Sequence, residues 1–307
     1  MKPIKDWNNE ELAAELLHFQ ERAALSLPRK KSFPKLENID YFAVTEPYKG
    51  CVGGDYLSIV NFDEYNIKEK VKAAKESGNE ELAKNLKKNY NSFGIIVADI
   101  SGHMVTDNVL VNYLHGAFKT GIAYELKYRG EITTAMFEHL NTQYYNHIKS
   151  DFLASKPFAT FVYGEVHNDG RFRFISAGHP APLVFSSEFN RIVKLDGSCT
   201  KASTPLGVIP SKYHIDSENF EPTITKDIYS VNEINLLGRG DILLLYTDGL
   251  AEQKNGELNF CDEKLEHVLR EAKNESSKNI YKSIIENLHL FSPIEDDLTI
   301  AVIKKRQ

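Results

Sequence analysis

The sequence predicts an α+β protein in which mostly antiparallel strands are layered with helices. Three observations carry that prediction. Runs with a period of two, 158–167 and 171–177, flank Asn168-Asp169-Gly170, a hairpin signal. The main helical stretches fall in two blocks, 105–149 and 262–290, instead of alternating with single strands as a βαβ array would. The apolar run Ile95-Ile96-Val97-Ala98, bounded by turn formers, fits a core strand.

Each element has its own signal. Residues 10–27 place Leu12, Leu16, Phe19 and Ala23 on one helical face, with Asn8 or Asn9 as cap, and Pro28 ends the helix. That helix packs on its own domain or serves as a dimerising or signal-transmitting element. Residues 1–30 are therefore read as an N-terminal helix and linker, and 31–307 as the main domain. Ile39–Thr45 and Leu57–Phe62 read as strands around Gly53-Gly54-Asp55, where adjacent glycines permit a tight turn and close approach to a ligand. A Lys-, Glu- and Asn-rich stretch near 66–90 reads as an exposed helical insertion with a solvated charged face. Val105–Tyr128 is apolar enough to be a buried helix, with His115 a satisfied core histidine, and 131–149 forms a second helix. Gly178-His179-Pro180-Ala181-Pro182 is a rigid corner, after which 183–185 and 191–195 are expected to continue the meander. Residues 196–230 form a long loop of the kind that serves as a lid. Strands at 229–234, 241–247 and 298–304 and helices at 262–273 and 277–290 complete the domain.

Composition narrows the function. The chain has 307 residues, 42% hydrophobic and 26% charged, with a net charge of −6. That charge gives no electrostatic reason to expect nucleic acid or an anionic membrane as partner. Three widely spaced cysteines without a C-x-x-C pair suggest neither a zinc knuckle nor a disulfide framework, and they suit a reducing compartment. No apolar stretch approaches the roughly 20 residues that cross a bilayer. A soluble, cytoplasmic protein without membrane insertion is expected.

Four acidic positions share one setting. Asp55, Asp99, Asp248 and the pair Asp296/Asp297 each abut a strand, and the first three have glycine adjacent or nearby. A single aspartate there is most simply a turn former or a cap. Several carboxylates gathered at one end of a sheet repel one another and are stable mainly when cations neutralise them. Hard oxygen ligands select Mg²⁺ or Mn²⁺, and the chain has no H-E-x-x-H pattern for zinc. Two such ions about 3.5–4 Å apart activate water and clamp a phosphate.

Seven motifs occur in one order: Gly53-Gly54-Asp55-Tyr56; Val97-Ala98-Asp99-Ile100-Ser101-Gly102-His103; Phe158-Ala159-Thr160-Phe161-Val162-Tyr163-Gly164; Ser176-Ala177-Gly178-His179-Pro180-Ala181-Pro182-Leu183; Pro205-Leu206-Gly207-Val208; Gly240-Asp241 through Tyr246-Thr247-Asp248-Gly249-Leu250-Ala251-Glu252; and Asp296-Asp297-Leu298-Thr299. Together they resemble the PPM family of metal-dependent serine/threonine phosphatases, in the bacterial branch that contains the stage II sporulation protein E and RsbU phosphatases. The resemblance implies a four-layer α-β-β-α sandwich with mostly antiparallel sheets and a two-ion Mn²⁺ or Mg²⁺ cleft. It implies that Asp99 bridges the ions, that the Ile100 carbonyl adds a ligand, and that Asp248 with Asp296 or Asp297 holds one ion. Asp55 binds metal or its water, and His103 or His179 protonates the leaving oxygen. It further implies a phosphoserine or phosphothreonine substrate on a bacterial regulator such as an anti-sigma-factor antagonist, while a homodimer through the N-terminal helix stays one of the readings of residues 10–27, beside packing on its own domain. This chain departs from the pattern at Met104, where relatives read glycine, and in the length of the 66–90 insertion. A non-catalytic module of the same fold is the competing reading. Another two-metal phosphoryl-transfer enzyme is a third, disfavoured by the lack of a basic stripe and of a P-loop.

Overall fold

The structure, a computed structural model, describes residues 8–26, 34–101, 107–148, 157–197, 199–211, 226, 228–235 and 238–306. The strands are β1 (Ile39–Glu46), β2 (Asp55–Val60), β3 (Ser92–Ile100), β4 (Ala159–His167), β5 (Arg171–Ala177), β6 (Leu183–Ser186), β7 (Arg191–Val193), β8 (Ala202–Ser203), β9 (Asn232–Asn235), β10 (Ile242–Tyr246), β11 (Lys254–Asn255), β12 (Leu258–Asn259) and β13 (Leu298–Lys305). The helices are α1 (Asn9–Ser26), α2 (Ile67–Glu76), α3 (Glu80–Lys87), α4 (Asn108–Tyr128), α5 (Thr134–Ile148), α6 (Asp248–Ala251), α7 (Glu266–Ala272) and α8 (Ser277–Phe291). One sheet runs β1-β13-β10-β6-β7 and is antiparallel throughout. The other runs β2-β3-β4-β5-β8, with β9 also on β5, and only the β5–β8 pair is parallel.

Three apolar clusters make four layers. Phe93, Ile95 and Val97 of β3 point between the sheets, where they meet Ala43, Leu243, Leu245, Ala301 and Ile303. Ile96, Ala98 and Ile100 point the other way, into Leu114 and Phe118 of α4 and Phe137 of α5. This is why the strand signal is an unbroken apolar run: both faces of β3 are covered, so alternation disappears. On the far side, Leu244, Ile300 and Val302 pack on Leu265, Leu269, Ile280, Ile284 and Leu288 of the last helices. Aromatic rings dominate the α4–α5 layer, with Phe137 stacked on Phe161 at 5.3 Å between centroids. Each such ring contributes about 2–3 kcal/mol by leaving water. The expected four-layer sandwich is present.

Local signals explain the ends of elements. Asn8 Oδ1 accepts from the Glu11 amide at 2.8 Å, and Glu11 Oε2 accepts from the Asn8 amide at 2.8 Å, a reciprocal cap that starts α1. Leu12, Leu16 and Leu17 of α1 stay in solvent, Leu17 being 54% exposed, although the helix touches α4 and Gln20 meets Cys51. In the insertion, Asn79 accepts from the Leu82 amide to start α3. Val71, Ala74, Ala83 and Leu86 face the core, so the charged residues are its solvated side.

Two expectations fail. Residues 183–186 and 191–193 do not continue the meander of β4 and β5. The corner at 178–182 carries the chain out of one sheet and into the other, where β6 pairs with β10. Gly178 takes φ +64 with Pro205 against the place of a Cβ, and β5 is already flanked by β4, β8 and β9. The helix expected at 262–273 opens with a π-helical turn, Cys261–Leu265, before α7. The small hairpin β11–β12 and the one-turn α6 had no signal strong enough to separate them from loop. The middle of the expected lid, 212–225, falls outside the described residues. Among the described residues, no helix is long and apolar enough to cross a membrane.

Candidate metal centre

The strand register brings the acids together. Asp55 of β2 lies opposite Asp99 of β3, and Asp99 lies opposite Thr160 of β4. Residues directly opposite in antiparallel strands point to the same face. Two residues further along, Leu57, Val97 and Val162 line the space between the sheets, so Asp55, Asp99 and Thr160 line its end. In the other sheet β10 and β13 are neighbours. Asp248 follows the end of β10, and Asp296 and Asp297 precede the start of β13. Each sheet therefore supplies half of one acidic end.

Electrostatics record the crowding. Burial, then Asp248, Asp296 and Asp297 in turn, push Asp99 from the ordinary 3.8 up to about 8. Burial and Asp99 push Asp55 well up, against hydrogen bonds from Thr299 and Thr247. Asp248 is raised by burial, Asp296 and Glu252. Among the described residues, no lysine or arginine forms an ion pair with any of these acids. Nor, among the described residues, do three or more acidic, histidine or cysteine side chains stand, as placed, close enough together to hold a metal ion. An uncompensated group of carboxylates, with the central one pushed up to about 8, is a donor set that a hard divalent cation fits.

The acids are held differently. One oxygen of Asp55 accepts from Thr247 Oγ1 at 2.8 Å and from Thr299 Oγ1 at 2.7 Å. Asp297 is buried and spends both oxygens on backbone amides, Tyr48 at 2.7 Å and Gly54 at 2.6 Å. A Cβ on Gly53 would lie 2.1 Å from Asp297 Oδ2, so glycine is required where this carboxylate crosses the loop. Asp296 is half-buried, and its Oδ1 accepts from the Asp297 amide at 2.8 Å. Ile100 donates its amide to the Gly54 carbonyl at 3.2 Å, tying the end of β3 to the same loop. Asn108, at the start of α4, donates to the Gly53 carbonyl at 3.1 Å.

Three histidines entered the sequence reading. His103 lies in 102–106, outside the described residues, as does the departure at Met104. His179 is buried, its Nδ1 2.8 Å from Thr160 Oγ1, and burial pushes it down to about 3. A ring that stays neutral down to such pH has no proton to give near neutrality, so His179 is a packed corner residue. His115 is half-buried beside Tyr56, its Nδ1 2.7 Å from the phenol oxygen, as expected of a satisfied core histidine. Sequence reasoning missed Thr45, Thr247 and Thr299. Their signal was present: a threonine directly before Asp248 and another two residues after Asp297, each where an inward-facing strand position is otherwise apolar.

Known proteins share the family and the fold. The family profile described as stage II sporulation protein E (SpoIIE) matches residues 89–306. No curated protein matches the chain. Among solved structures, the SiaA-PP2C domain of Pseudomonas aeruginosa is 15% identical, with a TM-score of 0.62 over 97% of this chain and 98% of that one. The RsbU and RsbW domains of a Mycobacterium tuberculosis protein are 18% identical, with a TM-score of 0.60 over 89% of this chain and 61% of that longer one. The PP2C phosphatase domain of SpoIIE from Bacillus subtilis, with a fragment of its regulatory domain, is 14% identical, with a TM-score of 0.57 over 88% of this chain and 64% of that one. The layered sandwich is thus a fold shared with these proteins, and the chain belongs to the SpoIIE family.

Proposed function

We propose that this protein is a divalent-metal-dependent phosphatase that hydrolyses phosphoserine or phosphothreonine on a bacterial regulatory protein. The carrying observation is the convergence of Asp55, Asp99, Asp248 and Asp296 without a cationic side chain among them. Membership of the SpoIIE family supports the reaction class, and a related fold, RsbX, has been solved in complex with magnesium.

In this reading Asp99, central to the group, and the Ile100 carbonyl beside it would hold two Mn²⁺ or Mg²⁺ ions. Asp248 and Asp296 hold one of them. Asp296 is favoured over Asp297 because Asp297 already uses both oxygens to fix the 48–54 loop. When bound, the ions supply a nucleophile at neutral pH and neutralise the phosphate oxygens. Asp99 must release its proton as they bind, so loading is favoured by rising pH. Asp55 keeps one oxygen on the threonines and turns the other to the cleft. His103, four residues beyond Asp99, is assigned to protonate the leaving serine oxygen. The N-terminal helix, with its exposed leucines, is assigned to dimerisation or regulation, and the 67–87 helical pair is a surface insertion on the phosphatase domain. The substrate class is a phosphorylated regulator of the anti-sigma-factor-antagonist type.

The test is hydrolysis of a phosphoserine protein or peptide by the full chain with and without Mn²⁺. Activity that requires Mn²⁺ and is lost in Asp99→Asn supports the reading. No hydrolysis, together with no Mn²⁺ binding by calorimetry, leaves a non-catalytic module of the same fold.

A further inference from the structure

We propose that Thr247 and Thr299 are positioning residues for the metal site: their hydroxyls hold one oxygen of Asp55 from the opposite sheet and so aim its second oxygen at the cations. The inference rests on the phosphatase reading above and deepens it. Asp55 is the first residue of β2, and β2 is an edge strand. A strand end at a sheet edge is a place where fraying begins. Its carboxylate is instead anchored across the gap between the sheets, 192 and 244 residues away in sequence.

Proton accounting makes the anchor directional. Thr247 Oγ1 accepts from the Thr299 amide at 3.0 Å, and its one proton goes to Asp55. Thr299 Oγ1 likewise gives its one proton to Asp55. The 2.8 Å contact between Thr45 and Thr299 must then run from Thr45 to Thr299. Every proton of the row is thus directed toward one oxygen of Asp55, which accepts both bonds when the carboxylate is ionised. Hydrogen bonds to a charged acceptor are short and geometrically specific, so the carboxylate is fixed in rotation as well as in place.

The threonines are otherwise unexpected. The inward residues two positions away are Ala43 and Ala301, in the strands of Thr45 and Thr299, and Leu245 in β10, which ends one residue before Thr247; all three belong to the apolar cluster between the sheets. Thr247 and Thr299 are both fully buried, and valine would continue that cluster at the same volume. A buried hydroxyl costs free energy unless it is bonded, and here the bond is to Asp55. Because Asp55 stands opposite Asp99, the anchor also sets the spacing between the two acids at the centre of the site.

The experiment makes Thr247→Val and Thr299→Val separately in the full chain, with Thr247→Ser and Thr299→Ser as conservative variants. Mn²⁺ affinity is read by calorimetry, metal-free Tm by calorimetric scanning, and activity as a function of Mn²⁺ concentration. The expected result is a loss of about tenfold to a hundredfold in Mn²⁺ affinity in each valine variant. Serine variants keep affinity close to that of the parent, and raising Mn²⁺ restores kcat in the valine variants. Unchanged Mn²⁺ affinity in folded valine variants overturns the proposal, whatever happens to Tm. So does failure of both valine variants to fold while both serine variants fold, which gives the row a structural role only. A parent chain that neither binds Mn²⁺ nor hydrolyses phosphoserine overturns the underlying phosphatase reading instead.

Discussion

Replacing Asp99 with asparagine should stabilise the metal-free protein at alkaline pH while abolishing its response to metal. Burial and the facing carboxylates of Asp248, Asp296 and Asp297 push Asp99 from 3.8 up to about 8. That is a rise in proton affinity of about ten-thousandfold, worth at most ~6 kcal/mol at ~1.4 kcal/mol per tenfold. Asp99 is only half-buried, and solvent screening of its repulsions reduces the figure to about 2–3 kcal/mol. The sign follows from linkage. The folded state holds this proton more tightly than the unfolded one, so its contribution to stability is complete below about pH 4 and is lost as pH rises through about 8. Asparagine carries no charge and escapes that loss. In EDTA, Asp99→Asn should match the parent near pH 4 and exceed it near pH 8 by about 2–3 kcal/mol, or about 5 °C or more in Tm. With Mn²⁺ the order reverses, because only the parent binds and gains stability from the ligand. Differential scanning calorimetry from pH 4 to 9, with and without Mn²⁺, reads both effects. A metal-free Asp99→Asn that loses the same stability at pH 4 and pH 8 would refute the idea that these acids repel one another across the cleft.

Three further outcomes follow from other contacts. Asp297→Ala removes the two bonds to the Tyr48 and Gly54 amides and should cost about 3 kcal/mol, with weaker Mn²⁺ binding because the Gly53–Asp55 loop loses its anchor; urea denaturation and calorimetry measure the two. Gly164→Ala places a Cβ 2.1 Å from the Phe172 ring and should cost about 1–3 kcal/mol through overpacking between the sheets, read as a lower urea midpoint. Glu138→Gln weakens the 2.8 Å charged bond from Lys226, whose side chain is 5% exposed, and should cost about 1–3 kcal/mol; the Tyr229 amide, which donates to Glu138, should show faster hydrogen exchange.

Much of the fold was legible because its signals are local. The Asn168-Asp169-Gly170 turn marks the β4–β5 hairpin, and the unbroken Ile95–Ala98 run marks a strand covered on both faces. The acids of the site were legible for a related reason: each sits beside a strand end or a glycine turn. What could not be read locally was partnership. The corner at 178–182 looks the same whether the next strand stays in its sheet or leaves it, since the choice depends on edges already occupied by β8 and β9. The difference between Asp296 and Asp297 is likewise invisible in an Asp-Asp pair. It depends on backbone amides at Tyr48 and Gly54, some 250 residues earlier. The threonines were passed over because threonine in a strand is unremarkable by propensity. Their meaning comes only from the carboxylate that the opposite sheet sets against them.

The place of β13 has a consequence for how the protein is made. It lies between β1 and β10, pairing with β1 from Ile39↔Lys305 to Glu46↔Leu298 and with β10 from Ile242↔Lys304 to Tyr246↔Ile300. Strands β2 to β5 can zip together from neighbouring stretches as they leave the ribosome, at about 5–20 residues per second. Strand β1 emerges early and waits for a partner more than 250 residues downstream, and closing so long a loop is a slow step. Asp296 and Asp297 arrive with that same final strand. The acidic end of the sandwich is therefore complete only when the last central strand is inserted, and a nascent chain stalled before residue 296 would carry a half-built sandwich that lacks Asp296 and Asp297.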